Sequence, residues 1–252
     1  LQINMNDKLL IAVPSLGRAY DIEKHAGFWL KQLERYEYKL FCEPREKIYY
    51  SQTMPMSNIV FTENNCGLKG QIGHIRRYAE EKGFKYVMKC DDDMWFLKKK
   101  TSKKRSAETI EDALDEIVSE MELDKSIGGV TITKAAGYMR NPNNELWLYK
   151  KNKPFYSNSI SRTELFKVPD CADIFVDLSL ALECVTKGFS TKTYGRIYES
   201  CITFKNKGGF QSTNRDELSR KVYPLLREVY PEIRERPDTK NPCFDIDVSY
   251  YF

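Results

Sequence analysis

Histidine is almost missing from this chain: His25 and His74 are the only two among 252 residues. A metal centre built on imidazoles is therefore not expected. Cysteine is present seven times, an odd count, and no pair has CxxC spacing. That argues against a zinc site or a disulfide framework and for free, buried thiols in a reducing compartment. No stretch approaches the roughly 18 apolar residues that span a membrane. No membrane partner is expected, and Leu1 to Asp7 lacks the form of a signal peptide. A soluble, intracellular protein is the expectation. Neither sign of charge dominates, with a net charge of +4 and a pI near 8.5. Such a balance permits an acidic partner without demanding one. The sequence contains no internal repeat and no evident linker.

What is present suits a packed domain. Hydrophobic residues make up 41% and aromatics 13%, outside the range of disordered chains. The length fits one α/β domain with a single core. Leu9 to Val13 is a short apolar run closed by Pro14, Ser15, Leu16 and Gly17, which reads as a buried strand and a loop. A helix is predicted over Ile22 to Tyr36, capped by Asp21, with Ala26, Trp29, Leu30 and Leu33 on one face. Strands are predicted at Lys39 to Cys42, Asn58 to Phe61 and Tyr86 to Met88, and a helix at Gln71 to Lys82 with Gly83 as its stop. Ser106 is placed to cap a long amphipathic helix from Ala107 to Leu123. Further strands are expected at Gly129 to Thr133 and Phe155 to Ile160, and helices at Asp177 to Lys187 and Glu217 to Val229, the last interrupted by Pro224. Alternation of strand and helix predicts an α/β fold with a Rossmann-like, mainly parallel sheet flanked by helices.

The sharpest chemical feature is Lys85 to Phe96, KYVMKCDDDMWF. An apolar strand delivers Asp91, Asp92 and Asp93 at its carboxyl end, where open α/β sheets bind ligands. Three adjacent carboxylates repel one another, and a hard divalent cation, Mn²⁺ or Mg²⁺, relieves that repulsion. On an extended strand Asp91 and Asp93 point the same way and can share one ion, leaving Asp92 to face elsewhere. The alternative is an acidic surface turn.

The strand-borne aspartates resemble the DxD motif of GT-A glycosyltransferases. The ordered set of Ile11 to Ala19 (IAVPSLGRA), Gly67 to Ala79 (GLKGQIGHIRRYA), the aspartate segment and Phe175 to Phe189 (FVDLSLALECVTKGF) resembles, more narrowly, the TET-associated glycosyltransferases of bacteriophages. The resemblance touches most of residues 8 to 215. It implies a single GT-A domain over 1–252, with 8–96 as the nucleotide-sugar half and 97–252 as the acceptor half and C-terminal helical region. It implies transfer from a nucleoside diphosphate sugar, expected to be UDP-linked, to the hydroxyl of a 5-hydroxymethylpyrimidine in phage DNA, hydroxymethylcytosine first. The compartment it implies is the cytoplasm of an infected bacterial host.

Residue roles follow from the same resemblance. Asp91 and Asp93 hold the metal, and Asp91 and Asp92 contact the donor. Pro14, Ser15 and Arg18 lie where the nucleoside binds, although Arg18 can equally form a surface salt bridge. Gly67, Lys69, Gly70 and Arg76 approach the diphosphate, or else build an ordinary strand-to-helix turn. Asp177 is the candidate general base of an inverting reaction, with Asp173 in reserve; a helix N-cap is its alternative and compatible role. Two departures from the pattern stand out. Val176 precedes Asp177, so paired acids are reduced to one, and no histidine follows His74 to complete a metal shell. Asn214 or water and diphosphate are the substitutes. The loop Lys205 to Arg215, with Lys205, Lys207, Gly208 and Gly209, can fold over the diphosphate or form a plain hairpin.

On the acceptor side, Lys98, Lys99, Lys100, Lys103, Lys104 and Arg105 place six cations in eight residues. They can hold nucleic-acid phosphates, or balance the acidic helix that follows as a solvated loop. Trp95, Trp147, Phe155 and Tyr156 are candidates to stack on an extruded base. Three rival readings stay open. A sugar-nucleotide pyrophosphorylase would need a loop richer in glycine than PSLGRA. A transferase acting on protein or glycan, and a DNA-binding module with a degenerate acidic site, are the others.

Overall fold

The computed structural model describes residues 8–22, 29–31, 33–97, 109–134, 145–147, 152–155, 158–172, 174–201, 215–235, 246–247 and 251. Eight strands build one sheet: β1 (Leu9–Pro14), β2 (Tyr38–Cys42), β3 (Ile59–Phe61), β4 (Tyr86–Lys89), β5 (Met94–Leu97), β6 (Ile127–Lys134), β7 (Ser159–Arg162) and β8 (Ser190–Cys201). Their order is β3-β2-β1-β4-β7-β6-β8-β5. The helices are α1 (Ala19–Ile22), α2 (Lys47–Tyr50), α3 (Gly67–Lys82), α4 (Ile110–Leu123), α5 (Val176–Thr186) and α6 (Arg215–Val229).

The sheet has two unlike halves. β1, β2, β3 and β4 are parallel throughout. β7 is antiparallel to both β4 and β6, β8 runs parallel to β6, and β5 is antiparallel to β8. The predicted α/β class and mainly parallel sheet hold, with β5 and β7 as the reversed strands.

Strand β1 shows why the sheet is central. Leu9, Ile11 and Val13 join one core cluster with Leu114, Ile117, Val118 and Met121 of α4. Leu10 and Ala12 join the other with Ile72, Ile75 and Ala79 of α3 and Leu180 and Ala181 of α5. Period-two alternation therefore sends apolar side chains to both faces, and helices cover both. Helix α3 starts four residues before its predicted start and stops at Gly83, whose φ of 78° is a left-handed cap. A third, smaller cluster packs α6 through Tyr223 and Leu226 against Ala172 and Leu182.

Several elements depart from the sequence reading. The predicted helix over 22–36 is not continuous: Asp21 lies inside α1 rather than capping it, and the chain turns at Lys31. The physical reason is a better acceptor. The amides of Glu34 and Arg35 donate to Glu111 Oε1 at 2.8 and 2.6 Å, and the Arg35 guanidinium pairs with Glu111, Asp112 and Asp115 of α4. Helix α4 is capped by Thr109 in a capping box with Asp112, not by Ser106. Arg162 donates to the carbonyl of Met121 in its last turn and to that of Lys125 just beyond it, and stacks over Tyr86. β7 starts at Ser159, later than predicted, and the long strand β8 was not expected at all.

Candidate functional site

β4 ends at Lys89, and Asp91 to Asp93 form a turn before β5. The aspartates are thus not on an extended strand, so strand alternation does not decide where they point. The turn sits at the carboxyl ends of β1 and β4, the end at which open α/β sheets bind ligands.

Each of the three carboxylates meets a cation of the chain itself. Asp92 is 5% exposed. Its Oδ2 accepts from Ser15 Oγ at 2.5 Å, and its Oδ1 from the Arg18 guanidinium. Tyr50 hydroxyl lies 2.5 Å from Ser15 Oγ, which lengthens the network toward α2. Burial pushes the Asp92 carboxyl up to about 6, against the pull of Arg18 and Ser15. Asp93 Oδ2 is 3.0 Å from the same guanidinium. Arg18 is therefore neither a surface salt bridge nor a group directed outward alone; it is the counter-ion of the acidic turn.

Asp91 and Asp177 share Lys89. The Lys89 ammonium lies 2.6 Å from Asp91 Oδ1 and 2.7 Å from Asp177 Oδ1, and its side chain is 1% exposed. Burial works against that charge, yet Asp177 and Asp91 hold the ammonium above the ordinary lysine range. Asp177 lies in the first turn of α5, whose N-cap is Phe175, so it is not the cap itself. Burial raises the Asp177 carboxyl, Lys89 pulls it down and Asp91 raises it again, with a net upward direction.

The other sequence-predicted residues distribute as follows. Pro14 ends β1, and the following Ser15 amide donates to Phe41 O of β2 at 3.0 Å. Gln71 ties the start of α3 to this loop by donating to Ser15 O at 3.1 Å. Lys69 donates to Asp170 O at 2.6 Å. Arg76 is directed to Glu80, one turn along α3, and does not join the group. Glu80 in turn lines a cleft of about 490 Å³ with Lys85, Glu122 and Arg162, at the opposite end of β4 from the aspartates. Phe155 is a core residue at 5% exposure, and Trp147 packs edge-on against Tyr194. Neither is placed as a stacking platform. Asp173, Lys98, Lys99, Lys100, Lys103, Lys104, Arg105, Tyr156, Lys205, Lys207, Gly208, Gly209 and Asn214 lie outside the described residues, as does the side chain of Trp95.

Sequence reasoning missed four residues of the site: Lys89, Tyr50, Asn158 and Glu199. Asn158 Oδ1 accepts the Asp91 amide at 3.2 Å. Glu199 is 3% exposed on β8, and its Oε2 accepts from Asn158 N at 3.1 Å and Nδ2 at 2.7 Å. Burial raises the Glu199 carboxyl to about 8, with Lys134 and Asn158 pulling down and Asp91 and Asp177 pushing up. Of these, only Lys89 carried a readable signal, a lysine in the last position of an otherwise apolar strand.

The donor set suits a hard cation of limited demand. Among the described residues no three metal-ligating side chains are gathered into a self-contained site. Two carboxylates, Asp91 and Asp93, are what Mg²⁺ or Mn²⁺ requires when phosphate oxygens and water complete the shell. The charges agree. Asp91, Asp92, Asp93 and Asp177 carry four negative charges when ionised, and Arg18 and Lys89 carry two positive. The remainder, two negative charges, matches one divalent ion.

The sheet and its flanking helices form a Rossmann-like fold of the GT-A type. No protein-family model matches the chain, and no curated protein matches it. Among solved structures it is similar to glucosyl-3-phosphoglycerate synthase from Mycobacterium tuberculosis. The complex of that enzyme with Mn²⁺, UDP-glucose and phosphoglyceric acid aligns at a TM-score of 0.53 and 11% identity, over 88% of this chain and 79% of the other. Its complex with Mn²⁺, UDP and phosphoglyceric acid aligns at 0.52 and 11%, over 92% and 84%. At such identity the likeness is one of fold. No helix among the described residues is long and apolar enough to cross a membrane.

Proposed function

We propose that the chain is a metal-dependent, inverting glycosyltransferase. It moves a sugar from a nucleoside diphosphate sugar, UDP-linked, to the hydroxyl of a 5-hydroxymethylpyrimidine in phage DNA, hydroxymethylcytosine first. The observation that carries the transferase reading is the Asp91–Lys89–Asp177 bridge. It sets a candidate base beside a candidate metal ligand, at the carboxyl end of a GT-A sheet. The Mn²⁺ complexes of the similar synthase lend support for the ion. The DNA acceptor is supported by the ordered resemblance to the phage family and by the cation run from Lys98 to Arg105.

In this reading Asp91 and Asp93 would hold the ion, which would supply Lewis-acid stabilisation of the leaving diphosphate. Arg18, released in part from Asp93, contacts the diphosphate. Asp177 accepts the proton of the acceptor hydroxyl while that oxygen bonds to the anomeric carbon. The bond to the diphosphate breaks, and UDP leaves with the electron pair. A carboxyl raised above its usual range is a stronger base for this task. Lys89 keeps Asp177 oriented during the transfer.

The test is a donor screen on DNA containing 5-hydroxymethylcytosine, with Mn²⁺ and a panel of UDP-sugars, read by mass spectrometry of the digested nucleosides. A mass gain of one sugar, absent without metal and lost in Asp93→Ala, is the expected result. Metal-dependent UDP release with a glycan or protein, and none with DNA, would remove the DNA acceptor. If no UDP-sugar binds, the transferase reading itself fails.

A further inference from the structure

We propose that Glu199 is a positioning residue: acting through Asn158, it fixes the backbone of the acidic turn at Asp91. Its consequence for sugar transfer rests on the function proposed above, but the positioning itself does not.

The geometry runs in one direction. Asn158 is 0% exposed and fully engaged. Its carbonyl accepts from Ile132 N at 3.2 Å and Thr131 Oγ1 at 3.1 Å, which anchors it to β6. Its own amide and its side-chain amide both donate to Glu199 Oε2. What remains is Oδ1, and that oxygen takes the Asp91 amide. The Asn158 side chain therefore has one orientation in which its oxygen meets the Asp91 amide and its nitrogen meets a carboxylate, and Glu199 selects it.

Glu199 reaches this place through an irregularity. Ile132 of β6 faces Tyr194 of β8, but the next residue, Thr133, faces Tyr198. Three residues, Gly195, Arg196 and Ile197, are extra on β8. Bulges of this kind re-aim the strand beyond them, and Glu199 lies just beyond, opposite Lys134. The groups that face it are Lys134 of β6, Asp91 of the turn and Asp177 of α5.

Stability does not explain the residue. Among the described residues, Glu199 Oε1 is buried with no hydrogen-bond partner. A half-satisfied buried carboxyl costs free energy that an apolar side chain at the same point of a sheet avoids. The feature Glu199 supplies that leucine cannot is the double acceptor for Asn158.

The experiment uses the full chain as wild type, Glu199→Ala, Asn158→Ala, the double variant, and Glu199→Gln. Two quantities are read: Mn²⁺ affinity in the presence of UDP, by electron paramagnetic resonance, and hydrogen exchange at the Asp91 amide, by NMR. Glu199→Ala and Asn158→Ala are each expected to weaken Mn²⁺ binding roughly tenfold, the scale of a lost outer-shell partner. The double variant is expected to be no worse than Asn158→Ala alone, because both act on one element. Glu199→Gln, whose amide oxygen accepts the same two N–H groups, is expected within about twofold of wild type; being isosteric, it also serves if the alanine variant does not fold. Additive losses, or unchanged binding and exchange, would overturn the proposal. Should the wild type bind no Mn²⁺ with UDP, the transferase reading falls separately. Asp91 exchange then decides: faster in both alanine variants upholds the positioning, unchanged sinks it.

Discussion

Two buried acids, Asp92 in the parallel half of the sheet and Glu199 in the mixed half, are held in opposite ways. In the parallel half, Asp92 is surrounded by partners, with Ser15, Tyr50 and Arg18 in one network. In the mixed half, Glu199 has, among the described residues, a single hydrogen-bonded partner side chain and one oxygen with none. The first arrangement neutralises charge at the turn where the proposed metal and diphosphate would bind. The second keeps a carboxyl protonated to about pH 8 where backbone order is what matters. Regular strands with short loops gather counter-ions from neighbouring turns. A bulged, mixed sheet reaches across itself to a single contact.

The bridge between the halves is the place to break this contrast. Asp177→Asn removes the candidate base and leaves the parallel half intact. A fall in kcat of about 10²- to 10⁴-fold is expected, with the KM for donor little changed, in steady-state kinetics with UDP-sugar. An equal loss in donor binding would show the halves are not separable. Lys89→Met comes next. It leaves Asp91 and Asp177 facing without their cation, and about 3 kcal/mol of stability is expected to go, the low end for one member of a buried pair because both acids reach solvent. Urea midpoints measure it.

Titration sharpens the contrast further. Both acids are raised in the folded state, so the folded chain keeps protons that the unfolded chain has released. Their contributions to stability are therefore greatest at low pH and are lost as pH rises through the folded values. For Asp92 the window runs from about 4 to about 6, and for Glu199 from about 4.5 to about 8. Glu199→Gln is expected to flatten the decline in melting temperature between pH 6 and 8 and to make it shallower below pH 6, where Asp92 still releases its proton. The smallest effect belongs to α4, which flanks both halves. Thr109→Ala opens its capping box and is expected to cost about 1 kcal/mol, with activity unchanged.

Much of the parallel half was legible. Its strands are short apolar runs ended by turn residues, and Gly83 and the apolar face of α3 mark that helix by local rules. The aspartates were legible as chemistry but not as geometry, because nothing local says that the strand stops at Lys89. The helix over 22–36 was misread because its apolar spacing persists while Glu111, far along the chain, captures the amides that would extend it. β8 escaped because STKTYGRIYESC is polar, holds a glycine and carries a bulge, so its alternation is broken. Asn158 and Glu199 belong to no motif. They meet only because β7 and β8 flank β6, a fact of topology rather than of sequence.

Arg18 and Lys89 have one more consequence. They already offset two of the four carboxylates, so the chain is expected to fold without metal, with a similar melting temperature in chelator. On the function proposed above, the ion would then come with the diphosphate of the donor, so supply of nucleotide sugar as well as of metal would set when the chain is active.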